Sequence, residues 1–254
     1  MRRAISTIAV LLAVLPLLFQ GCATPGRLDA VPRQDTTRAV IPGIPNARSW
    51  VDADPDPLIR AVHAVIEREQ AEWAHAGHRG HLPPASLLAV SGGGDDGAFG
   101  AGLLVGWTQT GDRPTFKLVT GVSTGALIAP FAFLGPAYDE TLRAVHTDVT
   151  PRDIAIRRSL LAALTSDAIA DNQPLFSLIS KHFTPELLAR IAREYRKGRL
   201  LLIGTTNLDA RRPVVWNMGA IAEGAANNPQ AVELFRRVLL AAAASLNGLK
   251  NQET

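Results

Sequence analysis

Apolar residues in this chain come in two rhythms: short unbroken runs that end at glycine, and longer stretches that repeat every three or four residues. The first marks buried strands, the second helices packed on one face. Between Pro57 and Ala76, Leu58, Ile59, Val62, Val65, Ile66 and Trp73 recur at helical spacing. Leu87-Leu88-Ala89-Val90 is wholly apolar before glycines, as expected of a buried parallel strand. A helix is predicted from Ala98 to Thr110, a strand from Phe116 to Thr120, and a second buried helix from Thr124 to Leu134. Residues 137–198 are predicted mostly helical, with an amphipathic stretch from Pro185 to Tyr195 that Thr184 would cap. Leu200 to Thr206 reads as the best strand, Asn207 to Arg212 as a turn, and Pro213 to Trp216 as its hairpin partner. A helix from Pro229 to about Leu246 precedes the polar run Lys250–Thr254. Strand, tight turn and helix, twice over, is an α/β signature. No internal repeat interrupts it.

The first residues do not share this alternation. Arg2 and Arg3 precede an apolar run from Ala4 to Phe19 that closes at Gln20-Gly21-Cys22. A short positive region, an apolar stretch and small residues at its end read as an export signal over residues 1–21. The stretch is short for a membrane-spanning helix, which needs roughly 20 residues. Cys22 is the only cysteine, so no intrachain disulfide is available. The arrangement resembles a bacterial lipoprotein signal, with Cys22 as the lipidated first residue and membrane anchor of a cell-envelope protein, outer-membrane or periplasmic. An ordinary cleaved signal and an uncleaved anchor remain the alternatives. Residues 22–54, with Pro25, Pro32, Pro42 and Pro45, read as a tether or surface wrap, and residues 55–254 as one α/β domain. Removing Arg2 and Arg3 leaves 24 basic against 23 acidic residues, so the basic balance gives no argument for nucleic acid.

Candidate chemistry sits in two glycine-rich turns about 30 residues apart. Gly121-Val122-Ser123-Thr124-Gly125 has the nucleophile-elbow pattern, in which flanking glycines relieve the crowding around a serine on a strained turn. The bland alternative is a serine that caps the following helix. Gly92-Gly93-Gly94 admits three readings: an oxyanion hole built from backbone N–H groups, a dinucleotide fingerprint Gly92-x-Gly94-x-x-Gly97 with Asp112 as ribose ligand, or plain turns. Asp95 and Asp96 would oppose a pyrophosphate there. No Gly-Lys-Ser/Thr follows, which excludes a mononucleotide loop. His75, His78 and His81 are spaced by three, but Gly77, Gly80 and Pro83 break the helix that would align them, so no metal and no cofactor is expected. His63, His146 and His182 read as surface or packing residues.

These pieces resemble the patatin-like phospholipases, a family of lipid acyl hydrolases. The matching segments are Ser91-Gly-Gly-Gly-Asp-Asp-Gly-Ala-Phe-Gly-Ala-Gly102, Thr120-Gly-Val-Ser-Thr-Gly-Ala126, Gly204-Thr-Thr-Asn-Leu-Asp209 and Trp216-Asn-Met-Gly-Ala-Ile-Ala222, in the right order across roughly residues 85–245. The resemblance implies a three-layer α/β/α domain with a mostly parallel central sheet, incomplete at its C-terminus. It implies Ser123 as nucleophile, Gly92, Gly93 and Gly94 as oxyanion hole, and an acyl-ester lipid as substrate. The family pairs its serine with an aspartate in an Asp-Gly-Gly or Asp-Gly-Ala motif, and uses no catalytic histidine. This sequence contains no such motif, so the dyad aspartate is unknown, and Asp95, Asp96, Asp171 and Asp209 are unconvincing substitutes. After Ala241–Ser245 the family continues where this chain turns to Leu246-Asn247-Gly248-Leu249. The expectation is a truncated member whose apolar surface around Val238, Leu239 and Leu240 is less well covered. The alternative function is a catalytically inactive envelope lipoprotein that binds lipid or a protein partner; oligomeric state is unknown.

Overall fold

The computed structural model describes residues 31–147, 156–157 and 170–244. In chain order these form β1 (Arg48–Ser49), α1 (Asp56–His75), β2 (Ser86–Val90), α2 (Gly97–Thr110), β3 (Phe116–Val122), α3 (Gly125–Leu134) and α4 (Asp139–Thr147). There follow β4 (Ile156–Arg157), β5 (Ala170–Asp171), α5 (Gln173–His182), α6 (Pro185–Arg196), β6 (Leu200–Asn207), β7 (Arg212–Asn217), α7 (Met218–Gly224) and α8 (Pro229–Ala244).

The central sheet has the order β1-β7-β6-β3-β2. β2 pairs parallel with β3, and β3 parallel with β6, while β7 returns antiparallel to β6 and β1 antiparallel to β7. All strands of this sheet but β7 therefore point the same way, and β4 and β5 form a separate antiparallel pair. Helices flank this mostly parallel sheet, an architecture consistent with the α/β/α expectation. β3 and β6 read as apolar runs because both lie inside the sheet: Val119, Leu201 and Ile203 are fully buried. α3 is apolar all round, and each residue from Gly125 to Phe133 is buried, as a helix enclosed by its neighbours requires.

One buried cation ties three of these elements together. Arg199, just before β6, donates from Nε to the Phe116 carbonyl at the start of β3 (2.9 Å), and from Nη2 to the Phe133 carbonyl near the end of α3. Its Nη1 meets Glu194 at 2.8 Å, and the guanidinium lies 4.4 Å from the Phe133 ring centroid. Burial pulls its pKa down from the usual arginine value and Glu194 opposes the shift, so the charge is kept by its partners.

Several expectations are corrected by the fold. Leu87–Val90 is a parallel strand, but at the sheet edge instead of the interior, and Leu87 is 64% exposed. Of the two readings of the proline-rich segment, tether or surface wrap, its described part packs as a wrap. Ile44, Ala47 and Trp50 are buried, and Arg212 of β7 holds it through Asp52 (2.9 Å) and Thr36 (3.0 Å). Asn217 caps α7, a helix that periodicity did not reveal, by accepting from Ala220 N–H at 3.0 Å. On α8, Val238 and Leu239 are buried and Leu240 is half-buried, where less cover was expected. Of the membrane, signal and lipoprotein character expected for the chain, a membrane-spanning helix is not found: among the described residues no helix is long and apolar enough to cross a membrane. Ala4–Phe19, Cys22 and Lys250–Thr254 lie outside the described residues.

Replacing Arg199 by leucine removes the hydrogen bonds of two backbone carbonyls and leaves Glu194 beside an apolar side chain. We expect a loss of about 3 kcal/mol or more in urea unfolding, as for breaking other buried pairs. A midpoint unchanged from the parent would show that Arg199 is not a structural anchor.

Candidate functional site

The glycine-rich loop and the serine elbow meet at the C-terminal ends of β2 and β3, the usual position of a site in a parallel α/β sheet. β3 runs on through Gly121 and Val122 before the chain turns, two residues further than its apolar run indicated. Ser123 then takes φ 53°, a left-handed conformation that a non-glycine residue rarely adopts. Its carbonyl accepts from Ala126 N–H at 2.9 Å, and the Thr124 carbonyl from Leu127 N–H at 3.0 Å, which starts α3 immediately. The capping alternative finds no support, because the Ser123 hydroxyl is buried with no hydrogen-bond partner.

Glycine is needed on both sides of the elbow for a steric reason. A Cβ on Gly121 would lie 2.5 Å from the Gly125 carbonyl oxygen. A Cβ on Gly125 would overlap the Val90 carbonyl oxygen and lie 2.6 Å from that of Ser91. The elbow is therefore held by backbone packed directly on backbone, and it presses against the end of β2. Gly92 covers the serine: a Cβ there would sit 2.6 Å from Ser123 Cβ and 3.1 Å from its Oγ. Gly94 adopts φ 58°, and the Gly93 carbonyl accepts from Asp96 N–H at 3.1 Å, which curls the loop into α2. The fold thus brings Gly92 of the first motif and Ser123 of the second into contact.

A further neighbour had no signal in the sequence. Gly97 lets α2 approach so closely that its Cβ would be 3.2 Å from Thr124 Oγ1 and 3.6 Å from His146 Cε1. His146, on α4, belongs to this neighbourhood only because α2 and α4 pack together. Thr124 Oγ1 and His146 Nε2 are also buried without hydrogen-bond partners. Burial lowers the His146 pKa, so its imidazole is neutral near pH 7.

The dinucleotide reading loses its geometry. Asp112 lies in the connection from α2 to β3, where Thr110 Oγ1 donates to it, and so at the far end of α2 from the glycine loop. Asp209 lies in the turn between β6 and β7. No described carboxylate hydrogen-bonds to Ser123 Oγ. Among the described residues no group of three potential ligands could hold a metal ion, and His78 stacks on Trp73 with ring centroids 3.9 Å apart.

Beside the loop a groove of about 360 Å³ runs between β2 and α2, bounded at one end by Gly92, Gly93 and Asp96. A second cavity of about 290 Å³ lies between α2 and α4, where Arg143 and His146 face the small residues Ala101, Gly102 and Gly106.

Among known families, the patatin-like phospholipase model matches residues 88–246, which hold both glycine motifs, the elbow and the β6–β7 hairpin. No curated protein and no solved structure matches the chain.

Two measurements test this geometry. Gly125→Ala must displace backbone, so it should cost at least about 2 kcal/mol in urea unfolding. Gly106→Ala, in the interior of α2 with nothing within 4 Å of its Cβ, should instead gain about 0.5–1 kcal/mol. Equal effects would contradict the contact at the elbow. The second measurement is stability against pH. Because the folded pKa of His146 lies below the unfolded value, stability is complete above about pH 6.5 and falls as pH drops toward the folded pKa. His182 shifts in the same direction through burial and Lys181, so His146→Gln should flatten that decline in part. An unaltered pH dependence would show that the imidazole is not buried in solution.

Proposed function

The chain belongs to the patatin-like phospholipase family, and from that premise we propose that it hydrolyses fatty-acyl esters of lipids through an acyl-Ser123 intermediate. The observation that carries the proposal is the contact between Gly92 and Ser123, which sets a positive-φ serine beneath a loop of three glycines. Ser123 Oγ attacks the ester carbonyl, and the N–H groups of Gly93 and Gly94 receive the oxyanion. One such donor is worth about 3–4 kcal/mol in a transition state. The N-terminus of α3 adds a favourable potential for negative charge. The alcohol leaves with the proton that the serine gave up, and water then releases the fatty acid. The family resemblance assigns the transfer of that proton to an aspartate. In this chain the neutral imidazole of His146 is a buried base near Thr124, the residue that follows Ser123.

A second reading, a catalytically silent lipid-binding protein, is favoured by the unpartnered Ser123 hydroxyl. A fluorophosphonate probe separates the two, since it labels an activated serine alone. Under the hydrolase reading Ser123 is labelled, and Ser123→Ala lowers kcat on a short p-nitrophenyl ester by at least about 10³-fold with an unchanged far-ultraviolet circular dichroism spectrum. Turnover equal to the parent's in that variant would remove Ser123 from the chemistry.

A further inference from the structure

The groove between β2 and α2 has a definite direction. Gly97, at the start of α2, meets Thr124 beside the elbow. Trp107, three helical turns later, meets Phe116 edge-on with ring centroids 5.9 Å apart. Phe116 is the register partner of Ser86, the first residue of β2. α2 therefore runs back along β2, and the groove leads from the glycine loop at one end to the Trp107 indole at the other. At 1.5 Å per residue, the ten residues from Gly97 to Trp107 make it about 15 Å long.

Its walls carry almost no charge. Leu88 and Val90 line it from the strand, Leu103, Leu104 and Trp107 from the helix, and Ile128 of α3 closes the floor, 3.4 Å from where a Gly100 Cβ would be. Among the described residues Asp96 is its one charged lining residue, and it lies at the loop end. Phe99 and Leu103 are 76% and 59% exposed, an unusual expense of apolar surface in water. These exposed residues stand over a trough that begins beside the proposed oxyanion loop.

We infer that this groove holds the acyl chain of the substrate, with its carbonyl at Gly93 and its methyl end against Trp107, and that Trp107 sets the preferred length at a medium chain. The inference rests on the ester-hydrolase reading. Its occupant follows from continuity: a chain leaving an ester carbonyl at Gly93 enters the groove directly, and only an unbranched apolar group fits a narrow trough bounded by α2 and a strand edge. The glycine at position 100 keeps the middle of the trough clear.

The test is a series of p-nitrophenyl esters from acetate to palmitate. In the parent, kcat/KM should rise two- to fourfold per added methylene, approaching the ratio expected for burying a CH₂ group, to an optimum between octanoate and dodecanoate, and then fall. Trp107→Ala should move the optimum to longer chains. Gly100→Leu, which narrows the trough at the second turn of α2, should move it to shorter ones. A parent profile with that optimum and variant profiles identical to it would overturn the groove assignment while leaving the hydrolase reading intact. If the parent hydrolyses no ester, the hydrolase reading fails, and binding decides the groove. A terminally brominated undecanoate would then quench tryptophan fluorescence through Trp107, and Trp107→Phe should abolish most of that quenching. Quenching equal in the parent and in Trp107→Phe, or no quenching in either, would overturn it.

Discussion

The site depends on one steric fact: at the end of β3 three stretches of backbone lie closer than any Cβ permits. Gly121, Gly125 and the carbonyls of Val90 and Ser91 form a single contact. Through it the elbow is located by main chain alone, which has no rotamers to average over, so the serine's position is inherited directly from the pairing of β2 with β3. The first glycine motif is fixed by the same contact, because Ser91 and Gly92 continue from the strand that the elbow presses on. Loop and nucleophile candidate thus cannot move independently, and any disturbance of β2 reaches Ser123 without an intermediate.

Behind this contact the protein uses different means. The other end of the sheet is secured by Arg199, whose donors reach β3 and α3 across long stretches of sequence. The side away from β2 is closed by the wrap of residues 31–54, through Trp50 and the Arg212 contacts to Asp52 and Thr36. Charge and hydrogen bonding hold the periphery, while the candidate site is held by shape.

Most of the architecture was legible because it is local. Runs at Phe116 and Leu200 announced strands, Thr184 marked the start of α6, and the two glycine motifs carried the site within a few residues each. What was not legible is what tertiary pairing decides. Leu87–Val90 has the composition of an interior strand, and only the strand order shows it at an edge. His146 read as a surface or packing histidine, since nothing within α4 records that Gly97 opens a path to Thr124. Asp112 shows the converse: its spacing from the glycines fits a ribose ligand, yet α2 carries it to the wrong end of the sheet. The wrap lacked periodicity because its buried residues, Ile44, Ala47 and Trp50, answer to the sheet edge and not to a helix or strand of their own.

The positive φ of Ser123 has a consequence beyond geometry. A side chain in that conformation costs about 1–3 kcal/mol that glycine would not. Position 123 is thus a place where heredity is pulled two ways. A lineage selected for robustness alone would drift there to glycine and gain stability, and nothing in the fold would resist the change. A serine in the left-handed region, like Asn46 and Arg211 of this chain, holds its place at a cost that glycine would lift.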